Sequence, residues 1–208
     1  MSDQLHETID RIVAEGEDIQ NRVREAVEES ARQVGDTPTR LADITSRTID
    51  SAVAAIDRSA PADPHSTLRQ VLDGLGDGLS RTAEATKLAV AEAASEGRAY
   101  AKDDLKQVAS DMKSLGEMFV DTVVRAVKGA GSKTQQGIGD ITSHAERTIE
   151  SIKPSLQEAT YAALHDPVGL AGESAVAATK VTREAAGALF GAIGNALQSA
   201  GEKIKPKA

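Results

Sequence analysis

Apolar residues recur at intervals of three and four along most of this chain of 208 residues. This spacing places them on one face of an α-helix, whereas a half-buried strand would alternate strictly between apolar and polar residues. The first such series runs through Leu5, Ile9, Ile12, Ile19 and Val23. The pattern predicts an all-α protein of long amphipathic helices that form an antiparallel helical bundle or an extended coiled-coil-like assembly.

The composition also favours closely packed helices over a sandwich or a doubly wound sheet. Hydrophobic residues make up 40% of the chain, but aromatic residues make up only 2%. Aliphatic side chains bury less area each than aromatic ones do. A core therefore has to come from many small contacts between neighbouring helices.

Charge and residue usage exclude several classes of function. A net charge of −8 argues against a nucleic-acid partner, because phosphate binding needs a basic stripe and single strands also need aromatic platforms. The lack of cysteine excludes disulfides, thiolate metal ligands and a cysteine nucleophile. The N-terminus does not resemble a secretory signal, and no window reaches the roughly 18 apolar residues that span a bilayer. We expect a cytoplasmic protein, or one held peripherally on a membrane or inclusion surface.

Clusters of glycine and proline divide the chain into three predicted parts. Residues 1–58 are expected to form an acidic pair of helices, and residues 64–128 a long central helical segment. Residues 133–208 are expected to form C-terminal helices with an uncharged amphipathic tail at 185–201.

The boundaries inside these parts follow from the same punctuation. The first helix is predicted to run unbroken to Val34, and the central helix from Ser80 to Lys128. Three glycines at 74–78 predict a hinge, since each costs about 1 kcal/mol in a helix interior. Asp63 is the predicted N-cap of the central segment, and Pro154 predicts a kink or short break in the C-terminal part.

The strongest apolar stripe lies in the second half of the central segment. Together with the N-terminal series it forms the predicted helix–helix interface. That interface comprises Leu5, Ile9, Ile12, Ile19, Val23, Leu105, Val108, Met112, Leu115, Phe119 and Val123.

No set of residues forms a recognisable catalytic or metal site. His6, His65, His144 and His165 lie in unrelated contexts, without a metal-binding partner at helical spacing. The glycine-rich run at 72–78 follows no predicted strand and lacks the Gly-Lys-Ser/Thr ending of a phosphate loop. We expect no catalytic residue, cofactor or metal. The alternative, an enzyme or metal-binding bundle, would need carboxylates or histidines brought together only by folding.

The tail at 185–201 contains no charged side chain and leads to three terminal lysines. Three interpretations stay open: a buried bundle helix, an interfacial segment on an apolar or lipid surface, and a membrane-spanning helix. For contact with a surface or partner, the predicted residues are Leu189, Phe190, Ile193, Leu197, Lys203, Lys205 and Lys207.

A central stretch resembles an uncharacterised family of Ala-rich helical bacterial proteins. The likeness is carried by LSRTAEATKLAVAEAA at 79–94, DDLKQ at 103–107 and LGEMFVDTV at 115–123, about a quarter of the chain. It implies a helical fold and supplies no activity. More loosely, the aromatic-poor, cysteine-free amphipathic helices are similar to phasins, which coat polyhydroxyalkanoate granules.

These features predict a non-enzymatic structural or scaffolding protein that acts by amphipathic helix–helix association with itself or with a partner protein. The alternative is a phasin-like, surface-active coat protein. It would bind lipid or polyhydroxyalkanoate inclusions through its C-terminal helix.

Overall fold

The computed structural model describes residues 2–32, 41–95 and 102–165, and all regular structure in these ranges is helical. The predicted all-α class is therefore confirmed, with the helices packed against one another in a bundle. In chain order the helices are α1 (Ser2–Glu15), α2 (Ile19–Arg32), α3 (Leu41–Ser59), α4 (Pro64–Ser95), α5 (Lys102–Lys128), the single turn α6 (Ser132–Gln135) and α7 (Ile138–Leu164).

The prediction of one unbroken N-terminal helix through Val34 is wrong, because the chain turns between α1 and α2. Gly16 has a φ of 71° and Asp18 a φ of 47°, both in the left-handed region that ends a helix. The apolar series continues across the turn without losing its spacing, so periodicity alone did not reveal the break. The result is a helical hairpin.

Side-chain contacts give the directions of the first four helices. His6 hydrogen-bonds to Ser51 at 2.7 Å, and farther along both helices Arg58 donates to Asp10 at 2.5 Å. Because the second contact lies farther along both helices than the first, α1 and α3 are parallel. Contacts between α2 and α4 advance in the same way. The α1–α2 hairpin therefore stacks on the α3–α4 hairpin.

The remaining long helices close a ring of four. Helix α7 packs on α4 and α5, and α3 packs on the same two helices. His144 pairs with Asp73 at 2.8 Å and Lys87 with Glu158 at 2.6 Å, which makes α4 and α7 parallel. Helices α3 and α5 run opposite to them.

The predicted hinge at 74–78 is not a break, because α4 is helical throughout this stretch. A Cβ added at Gly74 would collide with the backbone carbonyl of Gln20 on α2, and one at Gly76 would lie 2.6 Å from Thr148 on α7. A Cβ at Gly78 would meet Val27 of α2 at 2.8 Å. The glycines thus allow two helices to approach α4 closely on different faces, and packing offsets their low helix propensity.

Pro154 also lies inside a helix rather than at a break, since α7 continues on both sides of it. Proline has no N–H, so the carbonyl of Glu150 loses its usual partner in the helix ladder. Ile152 and Leu156 flank the proline and are both buried. Their packing against the bundle holds the helix together through this local loss.

The ends of the central segment follow the prediction only in part. Helix α4 begins at Pro64, and the backbone N–H of Ser66 donates to the Asp63 carboxylate at 2.9 Å, so the predicted cap is confirmed. Of the single helix expected from Ser80 to Lys128, the described residues show α4 as far as Ser95 and α5 from Lys102; residues 96–101 lie outside the described set. The glycine-containing turn after Lys128 reverses the chain into α7, as its composition predicts.

In the part of the chain that the structure describes, the hydrophobic core is aliphatic apart from one aromatic ring. Phe119 is fully buried among valines, leucines, isoleucines and alanines. Buried threonines also line α4, where Thr82 donates to the carbonyl of Gly78 and Thr86 to that of Thr82, each at 2.8 Å. These two bonds satisfy the hydroxyls of Thr82 and Thr86 within their own helix.

Candidate interaction surface

Most of the predicted interface residues are buried in the core of a single chain. Each one whose side chain is described is at most 8% exposed and belongs to the common core: Leu5, Ile9, Ile12, Ile19, Val23, Met112, Leu115, Phe119 and Val123. Leu105 and Val108 lie on α5, but their side chains are outside the described set. In the closed bundle these packed faces are not available to a partner.

The residues predicted for contact with a surface lie outside the described residues. All of them belong to the C-terminal tail: Leu189, Phe190, Ile193, Leu197, Lys203, Lys205 and Lys207.

A groove of about 600 Å³ with an apolar floor lies between α5 and α7. We call it the α5–α7 groove. It is lined by Met112, Lys113, Gly116, Glu117, Ile149, Glu150, Lys153, Leu156, Gln157, Thr160, Tyr161, Leu164 and His165. On α7 these positions recur at intervals of three and four, so they form one continuous strip along the helix.

The groove has a buried apolar floor and an exposed apolar end. Met112, Ile149 and Leu156 are buried and form the floor. Tyr161 is 65% exposed and Leu164 is 53% exposed at the end of α7. Among the described residues only one other large hydrophobic side chain, Leu88 on α4, is similarly exposed, and it does not line the groove.

The charged residues on the rim are paired within their own helices. Lys113 faces Glu117 on α5 at 3.9 Å, and Lys153 donates to Glu150 on α7 at 2.9 Å. With two cations and two anions, the charged rim is neutral when His165 is neutral. A polypeptide segment without charged side chains could cover this groove without leaving a rim charge unpartnered.

Gly116 leaves the α5 side of the groove open. A Cβ added there would meet no atom within 4 Å outside its own helix. This is the opposite of the environment of Gly74. The missing side chain at Gly116 widens the space between the two helices and is not required by any close contact.

The end of the groove is ordered by an aromatic contact. The rings of Tyr161 and His165 stack with their centroids 4.2 Å apart and an angle of 16° between their planes. His165 also donates its backbone N–H to the carbonyl of Tyr161 at 2.9 Å, which ends α7. The stacking gives the exposed Tyr161 ring a defined place at the mouth of the groove.

Sequence analysis did not identify this groove. Tyr161 and Leu164 lie on the part of α7 that follows Pro154, where the sequence predicted helix but no contact residue. Their exposure depends on where α5 sits beside α7. The available signal was a lone tyrosine, in a chain with few aromatic residues, just before the helix ends.

The principal buried charge lies away from the groove, between α2 and α4. Glu28 is 8% exposed and lies 3.5 Å from Arg24 and 3.6 Å from Arg81. Burial raises the pKa of Glu28 above its usual value of 4.5, although both arginines act in the opposite direction. Within the described ranges, no three histidine or acidic residues cluster as metal ligands would. Nor is any helix in those ranges both long and apolar enough to cross a membrane.

Comparison with known proteins gives a family but no activity. Residues 1–199 match the model of a family of unknown function, DUF6781. The chain belongs to this family, which confirms the expected membership of an uncharacterised family and extends it from the central stretch to nearly the whole chain. No curated protein and no solved structure shows detectable similarity to the chain.

Proposed function

We propose that this member of the DUF6781 family is a non-enzymatic scaffolding protein that associates through amphipathic helices with a partner protein or with a second copy. The α5–α7 groove is the docking surface. The observation that carries the proposal is the coincidence of a buried apolar floor with the exposed Tyr161 and Leu164 along one strip of α7. Amphipathic helices bind such grooves through residues spaced by three and four.

The closed bundle directs the proposal to this surface. The apolar faces of α1 and α2 and the described part of the α5 stripe are packed against helices of the same chain. Using them for a partner would require opening the core. The groove offers apolar contact without that cost, and its charged rim is already paired.

The size of the native complex tests this proposal. In a gently prepared cell lysate, the tagged chain should elute in a species larger than its own 21.7 kDa. Leu164→Lys should shift it to a smaller species, because Leu164 is 53% exposed in the free chain and docking would bury that part. Losing this burial costs about half of the 1.5–3 kcal/mol for a whole leucine, or roughly a 4- to 13-fold weaker Kd. Lysine near a helix C-terminus also interacts favourably with the helix dipole, so the bundle itself should stay folded.

Leu88→Lys is the matched control, since Leu88 is 47% exposed on α4 and lies outside the groove. It should leave the elution unchanged. A wild-type chain that elutes as a monomer, or equal shifts for the two variants, would contradict the proposed docking surface.

A second proposal is a surface-active coat of phasin-like character, which rests on the uncharged stretch at 185–201 and the lysines that follow it. Apolar residues on one helix face would enter a lipid or polyester surface, and the lysines would bind anionic groups beside it. Flotation with anionic vesicles, using the full chain and a variant that lacks residues 185–208, tests the idea. Equal flotation of the two proteins would rule it out.

A further inference from the structure

We propose that, when no partner is bound, the α5–α7 groove is occupied by residues 185–201 of the same chain. This inference rests on the proposed function of the groove as a helix-docking surface and names its resident occupant. The chain would then carry its own competitor for partner helices.

The first argument is length. The α7 side of the groove extends from Ile149 to His165, which is about 25 Å at 1.5 Å per residue. The segment 185–201 has the same number of residues and, as a helix, the same length. A helix of this size would cover the groove from end to end.

The second argument is the pattern of apolar residues. Leu189, Phe190, Ile193 and Leu197 fall on one face of a helix through their spacing. Glycines and alanines lie between them, and small residues allow a helix to approach its neighbour closely. Such a face matches a narrow strip floored by Met112 and other apolar side chains.

The third argument is charge. Residues 185–201 contain no charged side chain, while Arg183 and Glu184 come just before the segment and Glu202 just after it. The charged residues on the groove rim are paired within their own helices. An uncharged segment can therefore cover the groove without burying an unpaired charge.

The fourth argument is reach. Helix α7 ends at Leu164, at the open end of the groove, and residues 166–184 connect this point to the segment. About 19 residues cover up to roughly 60 Å when extended and about 28 Å as a helix. Either conformation is long enough for the chain to turn back along α7.

Photo-crosslinking of the purified full chain tests the proposal. Tyr161 is replaced by the photoreactive analogue p-benzoylphenylalanine, which keeps an aromatic ring at the mouth of the groove. Irradiation should give an adduct of monomer mass that peptide mapping places within residues 185–201. The same probe at Leu88 should give at least about five times less of that adduct, because Leu88 is exposed on α4 and does not line the groove.

Two glycine variants provide a matched pair. Gly116→Leu projects a side chain into the groove and should lower the yield of the adduct several-fold. Gly139→Leu changes another exposed helical glycine, which also has no atom within 4 Å of an added Cβ but does not line the groove. It should leave the yield unchanged. Circular dichroism checks that both variants are folded.

Three results would overturn the inference. One is an adduct of dimer mass, which would make a second copy the occupant. The others are no adduct to 185–201, and equal yields from positions 161 and 88. A docking partner captured in cells by the same probe, without an adduct to 185–201 in the purified protein, would sink the inference while leaving the proposed function intact.

Discussion

Glycines with the same backbone conformation have opposite roles in this bundle. Gly74, Gly76 and Gly78 lie where α2 and α7 approach α4 too closely for a Cβ. Gly116 lies inside α5, yet it faces open space. By helix propensity alone all four weaken a helix, and only the position of the neighbouring helix separates them.

Adding one methyl group should therefore destabilise the fold at Gly74 and stabilise it at Gly116. Gly74→Ala should lower the free energy of unfolding by about 1–3 kcal/mol, because overpacking outweighs the gain in helix propensity. Gly116→Ala should raise it by up to about 1 kcal/mol, since only the gain remains. Urea denaturation of both variants measures the difference. Equal effects would show that α2 does not approach α4 as described.

Glu28 should give the bundle a distinct pH dependence. Because burial raises its pKa in the folded state, folding favours the protonated carboxyl. Its stabilising contribution is then fully present below its usual pKa of 4.5 and is lost as pH rises through the raised folded pKa.

The variant Glu28→Gln keeps the shape of the protonated side chain and removes this titration. The free energy of unfolding of the wild type, relative to Glu28→Gln, should fall as pH rises from below 4.5 towards neutrality. Denaturation curves at several pH values measure this difference. A difference that rises over that range would mean that Arg24 and Arg81 outweigh the cost of burial.

At the scale of elements, clustered breakers predicted helix ends on both sides of the central segment, but the glycine cluster at 74–78 lies inside a continuous helix. Asp63-Pro64 begins α4, and the glycines after Lys128 end α5. Single breakers misled in both directions. The turn at Gly16 was missed, since one glycine is tolerated in a helical pattern. Pro154 predicted a kink or short break, and α7 has no break there. Tertiary contacts decided each case, and these contacts are not visible in the local sequence.

Pro154 should lower the free energy of unfolding by an amount that the packing of α7 offsets. Pro154→Ala restores the N–H that the carbonyl of Glu150 lacks. It should raise the free energy of unfolding by about 1–3 kcal/mol, at most the full penalty of an interior proline. Thermal and urea denaturation check the change. Lower stability would mean that the fold needs the local shape imposed by the proline.

For the whole molecule, periodicity predicted the helices and most of the core. Which other helix covers each apolar face depends on how the helices pack together. The seam from Leu5 to Val23 and the described part of the stripe around Phe119 are buried within one chain. Among the described residues, the α5–α7 groove combines a buried apolar floor with exposed apolar side chains. Its shape depends on how α5 and α7 align around Gly116, which neither helix specifies alone.

We propose that this protein contacts its partner through the α5–α7 groove. Photo-crosslinking in cells, with p-benzoylphenylalanine at Tyr161 or at Leu88, measures contact at the groove against contact at a similarly exposed site outside it. We predict that the probe at 161 yields a defined adduct with a second protein chain, identified by mass spectrometry, and that the probe at 88 does not. An intermolecular adduct from 88 alone, or none from either position, would contradict the account.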